Sequence, residues 1–162
     1  GELLLTPIQM ANMTAIIANR GFYYTPHIIK EISEQESIDT NFTKKKYCSI
    51  EQKHFNPIIN GMQKVIEGKD GTAQNSMIQD LEICGKTGTA QNPHGEDHSI
   101  FIAFAPKDKP KVAIAVYVEN GGWGSTWAAP IASLMIEKYL KKNITNTNLE
   151  EFILNGNLIS KK

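Results

Sequence analysis

Residues 82–95 read EICGKTGTAQNPHG, and the reading of this stretch decides the fold. It is dense in small residues, carries one lysine, Lys86, and ends in the Pro93–Gly95 breaker. Three structures compete for it: a phosphate-binding loop, the wall of an acyl-transfer cleft, or an ordinary strand and turn. A Walker loop requires a glycine five residues before the Gly-Lys pair and a helix after it, so that helix amides meet the phosphates. The required position is Asp80, and Gly88 and Pro93 oppose a following helix. A carboxylate where backbone must approach an anion is the wrong chemistry. The phosphate loop is excluded, and no cofactor is expected.

The acyl-transfer reading has a specific logic. A strand that lines a cleft takes an extended peptide alongside it, backbone to backbone. Gly88 leaves that approach unobstructed. Lys86 supplies positive charge for a carboxylate, and the Thr87 and Thr89 hydroxyls can bond to it. An amide of the strand can donate to the oxyanion of a tetrahedral intermediate, a contribution of about 3 kcal/mol to the barrier. Lys-Thr-Gly is also the third signature of the penicillin-recognising serine acyl-transferases. The triplet alone does not separate this from a strand with a surface lysine.

The flanks supply a sheet and its cover. Residues 81–91, 99–105 and 111–119 read as strands, the last two joined by the Pro106–Pro110 turn and nearly continuous in apolar character. Such runs predict a sheet covered on both faces. Upstream, Thr6-Pro7-Ile8-Gln9 is a capping box with proline in the first turn. The helix it opens, over about 7–20, is apolar almost all round and is therefore expected to be buried. A buried helix so near residue 1 suggests that further protein covers it. Tyr23 to Ile32, with Pro26, reads as an extended edge segment, and 33–47 as a polar loop. Ser49-Ile50-Glu51-Gln52 reads as a second capping box, opening a helix over 51–66. Phe55, Ile58, Ile59, Met62, Val65 and Ile66 share one face of it, and Pro57 either kinks it or marks its first turn. A last helix over 126–140 points Ile131, Leu134, Met135 and Tyr139 inward. The whole is an α+β unit, an antiparallel sheet packed with helices. Residues 1–142 form the domain portion, and 143–162 a polar tail in which Leu149–Ile159 docks as a short helix.

Composition narrows the classes. Seventeen Lys+Arg balance seventeen Asp+Glu, so no electrostatic case for nucleic acid exists. Lys44-Lys45-Lys46 reads as a solvated loop. No apolar run reaches membrane-spanning length, and residues 1–15 lack a signal-peptide layout. Cys48 and Cys84 form no metal spacing and read as buried free thiols, although an oxidising compartment would permit a bridge. His94-Gly95-Glu96-Asp97-His98 packs two histidines and two acids together, but Pro93 and Gly95 make it a polar turn rather than a helical metal site. His98 is placed to orient that loop. Trp123 and Trp127 read as packing at the core or rim of the sheet, and Met10, Met13, Met62, Met77 and Met135 as core filler.

Beyond the triplet, longer pieces carry a resemblance. GELLLTPIQMANMTAIIANRG from residue 1, NGMQKVIEG followed by GTA, GKTGTAQNPHGEDHSIFIAFAP, KVAIAVYVENGGWG and AAPIASLMIEKYL resemble, in order and spacing, class B penicillin-binding proteins over about residues 1–140. These are the peptidoglycan D,D-transpeptidases, and the penicillin-binding protein 2 type that serves cell elongation is the most similar in character. The resemblance implies the C-terminal part of the transpeptidase domain in the serine β-lactamase-like fold. It implies that Lys86 hydrogen-bonds the serine of the second motif, that Thr87 and Thr89 hold the terminal carboxylate of a D-Ala-D-Ala stem peptide or a β-lactam, and that the Thr89 amide forms half of the oxyanion hole. Gly88 keeps the strand open. It also implies a periplasmic location, an inner-membrane anchor upstream, and partners among the cell-elongation proteins.

One departure is large. The nucleophile motif Ser-x-x-Lys occurs nowhere in the chain: Ser49 is followed by Gln52, Ser76 by Gln79, Ser99 by Ile102 and Ser133 by Ile136. The second motif, Ser-x-Asn, does not occur either. In the family both lie upstream of the matched segment, so these residues alone are expected to form no acyl-enzyme. The rivals are a non-catalytic peptidoglycan- or partner-binding module of the same fold, and a serine β-lactamase or D,D-carboxypeptidase.

Overall fold

The computed structural model describes residues 3–31 and 39–158. Its centre is a three-stranded antiparallel sheet in the order β3-β4-β5, with β3 at Cys84–Ala90, β4 at His98–Ala105 and β5 at Val112–Val118. The register runs from Cys84 opposite Phe104 to Ala90 opposite His98, and from Ser99 opposite Val118 to Ala105 opposite Val112. Both faces of the sheet are covered, as the apolar runs require. On one face Phe101, Ala103 and Ala105 pack with Ala128, Ala129, Ala132 and Ile136 of α4 (Ala128–Lys141), and with Ile66. On the other, Cys84 and Phe104 pack with Ala18 of α1 (Pro7–Ala18) and with Phe55, Ile59 and Met62 of α3 (Phe55–Glu67).

Gly85 shows how tightly the inner end of β3 is held. A Cβ placed there would run into Cζ of Phe101, so only a residue without a side chain lets that ring lie flat on the strand.

Several expectations need correction. Helix α1 opens as read, with Gln9 Oε1 accepting from the Thr6 amide at 2.8 Å and the Thr6 hydroxyl at 3.0 Å. It is not buried all round. Thr14 and Ala18 are covered, whereas Ile8 and Met13 lie open to solvent. One flank on β4 and β5 satisfies only part of its apolar surface. The second capping box does not form: a 3-10 turn over Gln52–His54 leads into α3, without a side-chain cap. Pro57 takes the first-turn alternative, where a missing amide costs nothing. Ile58 is exposed, while Phe55, Ile59, Met62 and Ile66 form the buried stripe.

Among the described residues of the segment 22–47, Phe22–Tyr23 (β1) is a strand paired with Lys46–Tyr47 (β2), and α2 spans Thr40–Thr43. Lys46 is therefore not a loop residue; its Nζ donates to Thr25 Oγ1 at 2.7 Å. Residues 32–38 of the expected edge segment and loop lie outside the described residues, as do 159–162 of the tail. Met135 and Tyr139 face outward on α4, and Met13 and Met77 are exposed as well, leaving Met62 as the buried methionine of the group. Small residues hold α4 to the sheet because they allow the closest approach. Cys84 is buried and Cys48 half-buried, and both are free. Burial pushes the Cys84 thiol up to about 12, which makes it inert at neutral pH.

Helix α5, Thr147–Leu154, returns against α4, with Phe152 stacked on Trp127 at 5.2 Å between ring centroids. The turn before it is tied to Glu137, a fully buried carboxylate on α4. Glu137 accepts from the Thr145 hydroxyl at 2.6 Å and the Thr145 amide at 3.1 Å, and lies 3.6 Å from Lys141 Nζ. Burial pushes this carboxyl up, but the two Thr145 bonds and Lys141 more than offset it and hold the group below its ordinary value.

Candidate functional site

Strand β3 has a hydrogen-bonded neighbour on one side, β4, so its other side is an open edge among the described residues. Along that strand the environment changes abruptly. Cys84 and Gly85 are buried; Lys86 and Thr89 are exposed, and Thr87 and Gly88 half-buried. The alternation of a strand puts Lys86 and Gly88 toward the Ile102 and Ile100 face, and Thr87 and Thr89 toward the Phe101 and Ser99 face. All four expected residues thus lie on the edge strand, two toward each face of the sheet. Lys86 Nζ donates to the Thr87 carbonyl at 2.8 Å, which folds the ammonium back along the strand.

Two segments flank this edge. The loop after β5 crosses the Thr87/Thr89 face, with Gly124 against the backbone of Gly88. Ser99 fixes that loop: its hydroxyl donates to the Trp123 carbonyl at 2.9 Å and accepts from the Ala128 amide at 3.1 Å. Trp123 itself, next to Gly124, stands 74% exposed. The turn after α3 approaches β3 as well, where Thr72 Oγ1 lies 2.9 Å from Thr87 Oγ1. Asn75 Nδ2 joins the two segments by donating to the Ser125 carbonyl at 2.9 Å.

The 92–98 turn is stitched into the same end of the sheet. Asp97 Oδ1 accepts from the Asn92 amide at 3.0 Å, and His98 Nδ1 accepts from the Asn120 amide at 3.1 Å. His98 therefore orients the corner after β5, with its ring 5.2 Å from that of Tyr117. Among the described residues no three His, Cys, Asp or Glu side chains group to hold a metal ion.

Thr72, Asn75 and Ser99 are the residues of this region that received no role from sequence. Thr72 belongs to the GTA piece of the resemblance, and Ser99 is the one hydroxyl in an apolar strand. Those two irregularities were the available signals.

A helix-covered antiparallel sheet with its Lys-Thr-Gly strand at an open edge defines the penicillin-recognising α+β fold. The family described as penicillin binding protein transpeptidase domain matches residues 1–137, and the chain belongs to it. The chain is 31% identical over 164 residues to peptidoglycan D,D-transpeptidase MrdA of Haemophilus influenzae, covering 89% of this chain and 25% of that protein. The chain thus spans about a quarter of the length of that relative. A crystal structure of Pseudomonas aeruginosa PBP2 in complex with WCK 5153 superposes with a TM-score of 0.74 at 34% identity, covering 91% of this chain and 32% of that one. A complex between PBP2 and MreC from Helicobacter pylori gives a TM-score of 0.71 at 31% identity, covering 88% of this chain and 26% of that one.

Proposed function

We propose that this chain supplies the substrate-binding wall of a peptidoglycan D,D-transpeptidase. The open edge of β3 from Lys86 to Thr89 is the single observation that carries the reading. The C-terminal end of a D-Ala-D-Ala stem peptide, or a β-lactam in its place, lies along that edge. Thr87 and Thr89 hold its carboxylate, and Lys86 supplies charge and a hydrogen bond to the second-motif serine. As a serine attacks the penultimate carbonyl, the Thr89 amide donates to the oxygen that gains charge. D-alanine leaves, and an amine of a neighbouring stem peptide resolves the acyl-enzyme. The nucleophile belongs to a Ser-x-x-Lys segment that these 162 residues do not contain. Residues 1–142 are the domain portion in this account and 143–162 its tail.

The relatives' role in peptidoglycan supports a place of work outside the cytoplasmic membrane, in the periplasm, with an anchor elsewhere in the protein. Among the described residues no helix is long and apolar enough to cross a membrane. The Helicobacter pylori complex supports an elongation protein such as MreC as a partner.

Labelling with fluorescent penicillin tests the reading. The 162-residue chain should remain unlabelled, and the full-length gene product should label at a serine. Lys86→Ala in the full-length product should slow labelling about a hundredfold. Labelling of the short chain, or a full-length rate indifferent to Lys86→Ala, would refute it; rapid turnover of the penicillin would point to a β-lactamase instead.

A further inference from the structure

We infer that Thr72 is a positioning residue that fixes Thr87 as a hydrogen-bond donor and so makes the β3 edge selective for a ligand carboxylate. The inference rests on the reading of β3 as the carboxylate-binding wall and adds to it a residue outside the signature strand.

Proton accounting carries the argument. A threonine hydroxyl has one proton to give and two lone pairs to receive with. Thr72 Oγ1 and Thr87 Oγ1 stand 2.9 Å apart, so one proton lies between them. If Thr87 gives that proton, its oxygen presents only lone pairs outward, and a carboxylate, which can only accept, is repelled. If Thr72 gives it, the Thr87 proton is free to point outward at the anion. A bound carboxylate therefore orders the pair as Thr72 donating to Thr87 and Thr87 donating to the ligand. Hydrogen bonds in such a chain polarise one another, and those to an ionised acceptor are the stronger kind. A neutral ester or amide end gains less from the same arrangement.

Thr72 is not a loose surface rotamer that happens to reach β3. The backbone around it is pinned: the Gly71 amide donates to the Gly68 carbonyl, the Ala73 amide to the Val65 carbonyl and the Ser76 amide to the Ala73 carbonyl, at 2.9, 2.9 and 3.0 Å. Ala73 is fully buried in the core beneath α4. Gln74 Nε2 closes the turn on the Lys69 carbonyl at 2.7 Å, and Asn75 anchors it to the loop beyond β5. Within this fixed turn Thr72 is exposed to solvent, so its hydroxyl is accessible from the β3 edge and adds little to the core. The turn thus presents a single hydroxyl, from a rigid mount, to the middle residue of Lys86-Thr87-Gly88.

The full-length gene product, with benzylpenicillin and its methyl ester as probes, tests this. The wild type should acylate faster with the free carboxylate than with the ester. Thr72→Val, which keeps the shape and removes the hydroxyl, should reduce that preference about fivefold, slowing the free acid far more than the ester. Thr72→Ser should restore the preference, which a purely structural loss would not predict. Equal melting temperatures for the three proteins exclude a folding defect. Full preference in Thr72→Val, with preference lost in Thr87→Val, overturns the role of Thr72 and leaves the wall intact. Full preference in Thr87→Val as well overturns the reading of the wall itself.

Discussion

Strands β3 and β5 border the same sheet, yet the two are built from opposite materials. β5 reads VAIAVYV, and all of it but Tyr117 is half-buried, because α1 leans on one face and α4 on the other. Every apolar residue in it has a packing reason. β3 reads CGKTGTA and divides in the middle. Its first two residues lie in the core, and from Lys86 onward nothing in the packing calls for a lysine, two threonines and a glycine in that order. The contrast separates what a sheet margin needs for stability from what it carries for another purpose. Side chains that the fold does not require are where the chemistry is written.

The sharpest way to probe that contrast is the residue on which β3 rests. Phe101 is fully buried opposite both Thr87 and Val116, so Phe101→Ala should destabilise the protein by about 3–5 kcal/mol in urea unfolding. A smaller effect separates the two halves of β3. Gly85→Ala forces a methyl into the Phe101 ring and should cost about 1–3 kcal/mol. Gly88→Ala meets Ile100 Cβ at 3.3 Å, a contact that a small shift relieves, and should cost less than about 1 kcal/mol. Equal losses at the two glycines would mean that the strand is packed throughout, and the division within β3 would be broken.

The smallest effect concerns acid. Glu137 has a carboxyl held below its ordinary value in the folded state, so its contribution is fully present above the unfolded carboxylate range. That contribution is lost as pH falls through the folded value. Hydrogen exchange on acidification should therefore loosen residues 145–154 before the amides of β3, and Glu137→Gln should flatten the response. Loosening that begins in β3 would show that the acid-sensitive part lies on the opposite side from the one assigned to it.

Much of this was legible in the sequence because it follows from periodicity. The strands at 99–105 and 111–119 and the buried stripe of α3 emerge where pattern and packing agree, whereas Lys86, Thr87, Gly88 and Thr89 stand out through a signature motif, and the structure puts them on the edge strand. The errors on the helices have one main cause. Apolar size predicts Met135 and Tyr139 inward on α4, whereas Ala128, Ala129, Ala132 and Ile136 pack with the sheet and Met135 and Tyr139 face out. A helix that lies close to a sheet needs small side chains at the contact, and hydropathy alone does not rank them first. Thr72 and Ser99 escaped for a different reason. Each acts through one hydroxyl whose partner is distant in the chain, and no local pattern encodes such a meeting.

The two tryptophans sit four residues apart in contrasting surroundings. Trp123 stands largely in water next to Gly124, which lies on the Gly88 backbone, and Trp127 lies against Phe152. Iodide in solution should therefore quench Trp123 more than Trp127, and a single fluorescence spectrum carries two separate reports. The quenchable part follows whatever settles on the signature strand, and the shielded part follows whether the last helix stays docked.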